Sequence, residues 1–281
     1  MVGAVEERAA WIETLRWHRD AGVSEALVEV PRNRYTEQAK APPVLQTTQE
    51  TAAPQPAPKS APRPMPVVEQ EPDAVGIAIA DARSLAKTAM SLEGLRSALE
   101  SFEGCSLKRS ARSLVFADGN AEARVMLIGE APGAEEDRRG LPFVGRSGQL
   151  LDKMLAAIGL NRESAYITNI LPWRPSGNRN PTINEIELLR PFVERHVELV
   201  QPELLVLVGG VSAKSLLHTT TGILKLRGSW RQCQIGTQTF PALPTFHPAY
   251  LLRRPGDKAL AWRDFLSLKQ RLDAGAARDL S

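Results

Sequence analysis

The stretch 123–130, ARVMLIGE, is an apolar run that ends in a glycine and a carboxylate. Apolar residues that do not alternate with polar ones are typical of a strand covered on both faces, as in parallel sheets. The runs AYITNIL (165–171) and ELLVLVGG (203–210) have the same character, and TFPALPTFHP (239–248) leads to a fourth. These runs predict four strands.

Segments with helical spacing separate the predicted strands. They are SGQLLDKMLAAIGL (147–160), TINEIELLRPFVERHVELV (182–200) and SAKSLLH (212–218). Ser147 is a candidate N-cap of the first segment, and Thr182 opens the second with Glu185 in capping-box spacing. Alternating strands and helices predict an α/β fold with a parallel sheet sandwiched between helices.

Ligands of such sheets bind beyond the carboxyl ends of the strands. In this chain the rule brings together Glu130–Asp137, Thr168–Asn169, Gly209–Gly210 and His247–Arg253. The side chains at these four places are therefore the candidates for a functional site.

Composition restricts the class of protein. Hydrophobic residues make up 43% of the 281 residues, which suits an ordinary globular core. The sequence has no apolar stretch of about 18 residues, so no membrane span or membrane partner is expected. Residues 1–20 are charged throughout and lack the apolar centre of a secretory signal. The two cysteines, Cys105 and Cys233, provide neither a disulfide framework nor a four-thiolate metal site, so we expect a cytoplasmic protein.

Charge is distributed unevenly along the chain. Residues 1–100 carry 11 basic and 14 acidic side chains, a net charge of −3, whereas residues 101–281 carry 24 basic and 18 acidic ones, a net charge of +6. This positive excess is compatible with a polyanionic partner and equally with an ordinary solvated surface.

The sequence before residue 76 differs in character from the rest. We expect an N-terminal helical segment over 1–35, with an amphipathic helix at 4–22. Residues 36–75 contain nine of the 21 prolines and bury too little apolar area to offset their ordering entropy, which predicts a disordered linker. A helix is expected around 76–102.

Three side chains near the first two strand ends could act on a ligand. Glu130 could orient a water molecule or stabilise positive charge, or it could cap a loop. Phe143 could stack on a flat ring from a cleft loop, or it could fill the edge of the sheet. Asn169 offers one acceptor and two donors for the edge of a base or amide, or it forms a local turn.

The stretch FHPAYLLRR (246–254) contains a histidine followed by apolar residues and arginines. His247 is one of four histidines and could be an ordinary surface residue. Tyr250, Leu251 and Leu252, followed by Arg253, suit a wedge that enters a duplex with phosphate contacts. The alternative is a short helix that folds its leucines inward.

Taken together, these stretches resemble the uracil-DNA glycosylases, most closely family 4 of that superfamily. The resemblance covers about 105–272 and rests on VFADGNAEARVMLIGEAPGAEEDRRGLPFVGRSGQLLDKML (115–155), AYITNILPWRPSGNRNP (165–181) and FHPAYLLR (246–253). It implies a three-layer α/β/α sandwich with a central four-stranded parallel sheet, in a catalytic domain at 76–281.

The resemblance implies hydrolysis of the N-glycosidic bond of uracil in single- or double-stranded DNA, which leaves an abasic site. The flipped base would be held by backbone N–H groups around Ala131, stacked on Phe143 and read by Asn169 at its O4 and N3–H edge. Gly133 and Glu136 lie where related enzymes wall off the C5 methyl group of thymine.

The resemblance also assigns the chemical and DNA-contacting roles. Glu130 would stabilise positive charge on the sugar or position the water, and His247 would donate a hydrogen bond to uracil O2. The expected DNA contacts are Tyr250, Leu251, Leu252 and Arg253, with the last three filling the gap left by the flipped base. A monofunctional enzyme that acts as a monomer is expected.

Two features depart from the family pattern. Ala131 stands where family-1 enzymes have the aspartate that orients the water. Family-4 enzymes usually hold a [4Fe–4S] cluster through four cysteines, of which Cys105 matches the first, while Lys108, Trp173 and Leu189 occupy the other three positions. One thiolate cannot hold such a cluster. We therefore expect no metal and no iron–sulfur cofactor, with apolar packing in its place.

Two alternatives to a glycosylase stay open from the sequence. One is a catalytically weak uracil- or abasic-DNA-binding module of the same fold. The other is a nucleotide-handling α/β hydrolase that prefers free deoxyuridine to DNA. The presence of Glu130, Phe143, Asn169 and His247 together favours the glycosylase.

Overall fold

The computed structural model describes residues 74–278, which form ten α-helices and a six-stranded sheet. The strands are β1 (Asp118–Gly119), β2 (Val125–Gly129), β3 (Tyr166–Asn169), β4 (Leu204–Val208), β5 (Arg231–Ile235) and β6 (Gln238–Thr245). The helices are α1 (Ala74–Thr88), α2 (Leu92–Ser101), α3 (Ser106–Ser110), α4 (Ala134–Arg139), α5 (Arg146–Ala156), α6 (Ile183–Val200), α7 (Gly210–Leu216), α8 (Ile223–Leu226), α9 (Pro248–Arg253) and α10 (Lys258–Arg278). The expected helix at 4–22 and almost all of the expected linker lie outside the described residues.

The sheet has the strand order β1-β3-β2-β4-β6-β5. Its four inner strands, β3, β2, β4 and β6, run parallel, which agrees with the predicted α/β class. The expected count of four strands for the whole sheet is wrong, because an antiparallel strand lies at each edge. Neither edge strand carries the apolar run that marks the inner ones: β1 has two residues, and β5 alternates exposed and buried side chains near its end.

Two hydrophobic clusters cover the two faces of the sheet, as a sandwich of three layers requires. Met126 and Ile128 of β2 lie in one cluster, together with Leu189 of α6. Leu127, which points to the opposite face, lies in the other cluster with Phe265 of α10. Every residue of β2 is buried, and this explains why its sequence is apolar without alternation.

The position of β2 determines where a ligand can bind. β2 pairs with β3 on one side and with β4 on the other, so the chain leaves β2 in one direction and later returns to its opposite flank. The carboxyl end of such a strand is a topological switch point, where the flanking loops diverge and leave a crevice. Glu130 is the first residue beyond this end.

Two helix boundaries differ from the expected ones, and in both cases a cap decides the boundary. The expected helix around 76–102 is divided into α1 and α2 because Ser91 adopts an extended conformation and accepts a hydrogen bond from the Gly94 N–H at 3.1 Å. Helix α5 has Gly145 as its N-cap, not Ser147. The capping box of Thr182 and Glu185 at the start of α6 is confirmed.

No helix among residues 74–278 is long and apolar enough to cross a membrane. The expected domain boundaries at residues 35 and 75 stay predictions.

Candidate active site

A cleft with a cavity volume of about 560 Å³ opens at the carboxyl ends of the parallel strands. Its lining includes the expected residues Glu130, Ala131, Gly133, Glu136, Phe143, Asn169, His247, Tyr250 and Arg253. These residues come from four separate parts of the sequence, and the sheet brings them to one place. The fold thereby creates the crevice that the strand-end rule predicts.

Glu130 presents a carboxylate without a partner to this cleft. Its backbone is fixed, because the Glu130 carbonyl accepts the Leu171 N–H at 3.0 Å and so continues the pairing of β2 with β3. Its half-buried side chain makes no hydrogen bond or ion pair within the described residues. Burial raises the pKa of the Glu130 carboxyl above its ordinary value of 4.5. A poorly solvated, unpaired carboxylate in a cleft is suited to stabilising positive charge or positioning water.

Phe143 lies beside Glu130 in an unusual backbone conformation. Its φ of 53° falls in the left-handed region, which costs a residue other than glycine roughly 1–2 kcal/mol. The ring lies against Gly129, where a Cβ atom would come within 2.6 Å of it, and its centroid is 5.5 Å from that of the His247 ring. Phe143 is 4% exposed and still lines the cleft. The expected stacking of a flat ligand on the Phe143 ring stays a prediction.

Glu136 organises the loops on both sides of the cleft wall. Its Oε2 accepts the Gly133 N–H at 3.1 Å, and its Oε1 accepts the N–H groups of Val144 at 2.9 Å and Gly145 at 2.8 Å. Since Gly145 is the N-cap of α5, this carboxylate joins the loop after β2 to the start of that helix. The carboxylate oxygens are thus occupied by backbone donors, so the expected role of Glu136 against a base is a steric one.

Asn169 ends β3 with its side-chain amide directed past Gly129. A Cβ atom on Gly129 would lie 2.3 Å from the Asn169 Oδ1 atom, so only glycine permits this arrangement. Asn169 is buried and lines the cleft, yet its amide makes no hydrogen bond within the part of the chain that the structure describes. Buried polar groups are normally satisfied, and this amide therefore has donors and an acceptor available for a ligand.

His247 is the N-cap of α9, and this role fixes its tautomer. Its Nδ1 atom accepts the Ala249 N–H at 3.1 Å, so the hydrogen of the neutral ring must be on Nε2. Burial lowers the pKa of His247 to about 4; the charge of Arg253 adds to the decrease and that of Glu136 opposes it. His247 is therefore a neutral hydrogen-bond donor at neutral pH.

The expected DNA-contacting turn is a short helix, α9. Leu251 is 1% exposed and packs in a cluster with Phe246 and Ala261, so its side chain is covered by protein in this conformation. The expected contact of Leu251 with DNA stays a prediction, which this packing does not favour. Leu252, by contrast, is 37% exposed. The alternative of a short helix that folds its leucines inward therefore applies to Leu251 and not to Leu252, because a helix on the protein surface buries only one side.

Several residues of the cleft were not identified as site residues from the sequence. They include Arg146, Asn178, Arg179 and Asn180. Arg179 forms a two-point ion pair with Glu185, at 2.8 Å and 2.5 Å, and this pair lowers the pKa of Glu185 to about 2. The stretch RPSGNRNP (174–181) could have drawn attention to this wall, since arginines and asparagines between prolines are unlikely to form a helix interior.

Three of the four positions that the resemblance assigns to cluster ligands lie in the hydrophobic core. Cys105, Trp173 and Leu189 are all buried and belong to one hydrophobic cluster. Lys108 is directed to the Glu100 carbonyl at 2.6 Å and to the Glu103 carboxylate. Among residues 74–278, no group of three or more His, Cys, Asp or Glu side chains could hold a metal ion.

Comparison with known proteins identifies the family of the chain. The family model of the uracil-DNA glycosylase superfamily matches residues 116–266. A type-4 uracil-DNA glycosylase of Archaeoglobus fulgidus is 36% identical over 169 residues, which cover 59% of this chain and 85% of the relative. One of Thermotoga maritima is 37% identical over 150 residues, or 53% of this chain and 77% of the relative. The chain belongs to the uracil-DNA glycosylase superfamily.

Proposed function

We propose that the protein excises uracil from DNA by hydrolysing the N-glycosidic bond, and that it releases the free base and leaves an abasic site. One observation carries this proposal. An aromatic ring, a free amide, a neutral imidazole and an unpaired carboxylate converge in one cleft, in Phe143, Asn169, His247 and Glu130. The family membership of the chain and the names of its relatives support the same activity.

Recognition of the base uses the groups without internal partners. The uracil ring stacks on Phe143 after the nucleotide is flipped out of the duplex or taken from a single strand. The Asn169 amide donates to O4 and accepts from N3–H, a pattern that cytosine does not match. The Ala131 N–H, which makes no hydrogen bond within residues 74–278, is available to a carbonyl oxygen of the base.

Bond cleavage separates charge, and two residues compensate it. The bond between N1 and C1′ breaks with its electron pair going to the base, so negative charge grows on uracil while positive charge grows on the sugar. The His247 Nε2–H donates to O2 and stabilises the first charge, and the Glu130 carboxylate stabilises the second or orients the water. The water oxygen then binds C1′, and its proton ends on the released base. No lysine lines the cleft among the described residues, which favours a monofunctional enzyme.

DNA is expected to lie across the mouth of the cleft. Arg253 lines the cleft, and Leu252 is exposed beside it. A cation and an apolar side chain in adjacent positions suit a phosphate contact and insertion into the space left by the base. Tyr250, whose hydroxyl donates to Asp257 at 2.6 Å, supports the same helix. Action as a monomer stays part of the proposal.

The residues at the iron-binding positions do not fit an iron–sulfur cluster. The buried Cys105 thiol, in a hydrophobic cluster that also contains Trp173 and Leu189, provides one ligand where four are needed. Burial raises the pKa of the Cys105 thiol, which disfavours the thiolate that iron requires. Purified protein should therefore be colourless and contain no stoichiometric iron. An absorption band near 400 nm with about four iron atoms per chain would refute this.

The decisive experiment is cleavage of a labelled oligonucleotide that contains one uracil, after alkali treatment, with the wild type, Asn169→Ala and His247→Ala. We expect uracil-dependent cleavage by the wild type and loss of it in both variants. Tight binding of uracil-containing DNA without cleavage would instead identify a catalytically weak binding module. Preferential hydrolysis of free deoxyuridine would identify a different nucleotide hydrolase.

A further inference from the structure

Arg162 lies outside the cleft, in the turn between α5 and β3. It nevertheless bonds two consecutive backbone carbonyls of the loop that carries Phe143. Its Nη1 atom donates to the Pro142 carbonyl at 3.2 Å, and its Nη2 atom donates to the Phe143 carbonyl. The same guanidinium bonds two carboxylates, Asp118 through Nη1 and Asp152 through Nε at 3.0 Å. Four acceptors from three chain segments therefore meet on one side chain.

The two carboxylates fix the guanidinium in place. Asp118 belongs to the edge strand β1 and Asp152 to helix α5, so the two anchors are parts of regular secondary structure. The Arg162 side chain is 25% exposed, which leaves its charge partly screened but its planar fork held in one orientation. The fork is thus an anchored pair of donors directed at the loop that carries Phe143.

Phe143 requires such an anchor because its backbone is in the left-handed region. Its carbonyl lies against Gly148, where a Cβ atom would be only 1.6 Å from the carbonyl oxygen. The next two N–H groups donate to Glu136. Arg162 holds the Pro142 carbonyl on the N-terminal side of Phe143. On the C-terminal side, Arg162 holds the Phe143 carbonyl and Glu136 holds the Val144 N–H. The torsion angles of Phe143 are therefore restrained at both ends.

We propose that Arg162 is a positioning residue for base excision, which holds Phe143 in the conformation that stacks on the flipped base. This inference rests on the proposed function, since Phe143 is assigned the stacking role there. Arg162 does not line the cleft. It acts only through the loop 142–145, and its effect must therefore depend on the presence of the Phe143 ring.

The alternative is that the ion pairs of Arg162 only stabilise the fold. The chain contains another arginine with similar contacts, which serves as a control. Arg124 makes a two-point ion pair with Glu203, at 2.6 and 2.7 Å, and donates to the Leu272 carbonyl at 3.2 Å. Its side chain is 36% exposed. Arg124 thus combines carboxylate and backbone contacts as Arg162 does, but at a place away from the cleft. Arg124→Met is the control for a merely structural loss.

The test is a double-mutant cycle on excision of uracil from a single-stranded oligonucleotide under single-turnover conditions. The variants of the full chain are Arg162→Met, Phe143→Ala and the double variant, each measured well below its own melting temperature. We expect each single variant to lower the rate constant about 10- to 100-fold. The double variant should be no slower than Phe143→Ala, because Arg162 has nothing left to position.

A second readout separates positioning from stability. Free uracil should inhibit the wild type and Arg124→Met equally, and it should inhibit Arg162→Met at least about tenfold more weakly. Arg162→Lys, which keeps the charge but has no planar fork, should fall between these two. If Arg162→Met does not fold, the cycle is run with Arg162→Lys and the same criterion.

Three results would overturn the inference while the proposed function stands. The first is that the two substitutions have multiplicative effects in the cycle. The second is unchanged uracil inhibition in an Arg162 variant with reduced rate, and the third is an Arg162 variant with the rate of the wild type. A wild-type protein that leaves the uracil oligonucleotide intact would refute the proposed function itself, and the inference with it.

Discussion

The Nδ1 atom of His247 accepts the backbone N–H of Ala249 at 3.1 Å, so one contact both caps helix α9 and assigns the ring hydrogen to Nε2. A histidine in this position cannot serve as an acceptor towards the cleft while it is neutral. With a pKa lowered to about 4 by burial, it stays neutral over the physiological range. The structure therefore favours hydrogen-bond donation to the leaving base over transfer of a full proton.

His247→Ala should lower the rate of uracil excision by about 10²- to 10³-fold, the effect of removing one donor to a developing anion. Single-turnover cleavage of a labelled oligonucleotide measures this loss. The control is His218→Asn, a change at a histidine that lies outside the cleft lining. Asparagine tolerates the positive φ of that position, which His247 does not share. A His247→Ala enzyme within about twofold of the wild type would refute donation by this ring.

The pH dependence of kcat/KM should reflect Glu130. Burial raises the pKa of Glu130 above 4.5, so activity that needs the carboxylate should fall as the pH decreases through this raised value. His247, with a pKa of about 4, stays neutral until the pH is lower than an unperturbed histidine would allow. The measurement is a pH profile of kcat/KM from pH 4 to 8 for the wild type and for a His247 variant. An acid limb near pH 6.5 in the wild type that disappears in the variant would assign the limb to His247 and contradict the assignment to Glu130.

Glu130→Gln should stabilise the protein and inactivate it. Because the folded-state pKa of Glu130 is raised by burial, the ionised carboxylate costs stability above pH 4.5, and this cost disappears when the group is protonated or replaced by an amide. We expect a melting temperature at pH 7 that is about 2 °C or more above the wild-type value. The difference should shrink as the pH approaches 4, and thermal unfolding at both pH values checks it. A lower melting temperature at pH 7 would show that Glu130 has a stabilising partner.

Gly129→Ala should damage the site more than the fold. The added Cβ would lie 2.3 Å from the Asn169 Oδ1 atom and 2.6 Å from the Phe143 ring, so both recognition groups must move. Excision should fall at least about tenfold, while overpacking costs about 1–3 kcal/mol of unfolding free energy. Gly222→Ala is the control, because a Cβ there meets no atom within 4 Å. Equal activity of the two variants would refute the packing argument.

Substitution of the two neighbouring leucines of α9 should have different effects, one on the stability of the protein and the other on its action on DNA. Leu251→Ala removes a fully buried side chain and should cost about 2–5 kcal/mol of unfolding free energy. Leu252→Ala should change stability by no more than about 0.5 kcal/mol and reduce excision from duplex more than from single-stranded DNA. Denaturant unfolding and excision on both substrates measure these effects. If Leu251→Ala instead reduced excision from duplex selectively and left stability unchanged, Leu251 would be the residue that contacts DNA.

The sequence alone was sufficient to predict the inner strands and the region of the site. Continuous apolar runs such as 125–129 indicate burial on both faces, and burial on both faces occurs in parallel sheets between helices. Parallel strands end at one edge, so Glu130, Asn169 and His247 could be expected in the same crevice before any coordinates were known. Thr182 and Glu185 marked a helix start because a capping box is a local interaction.

Tertiary structure alone decided how the site residues are held. Nothing local indicates that Leu251 turns inward, since its burial depends on Phe246 and Ala261 in space. The Phe143 carbonyl, at a residue in the left-handed conformation, accepts a hydrogen bond from Arg162, which is 19 residues further along the chain. Short-range patterns determine which segments become strands and helices, whereas hydrogen bonds between remote segments determine the direction in which a catalytic side chain points.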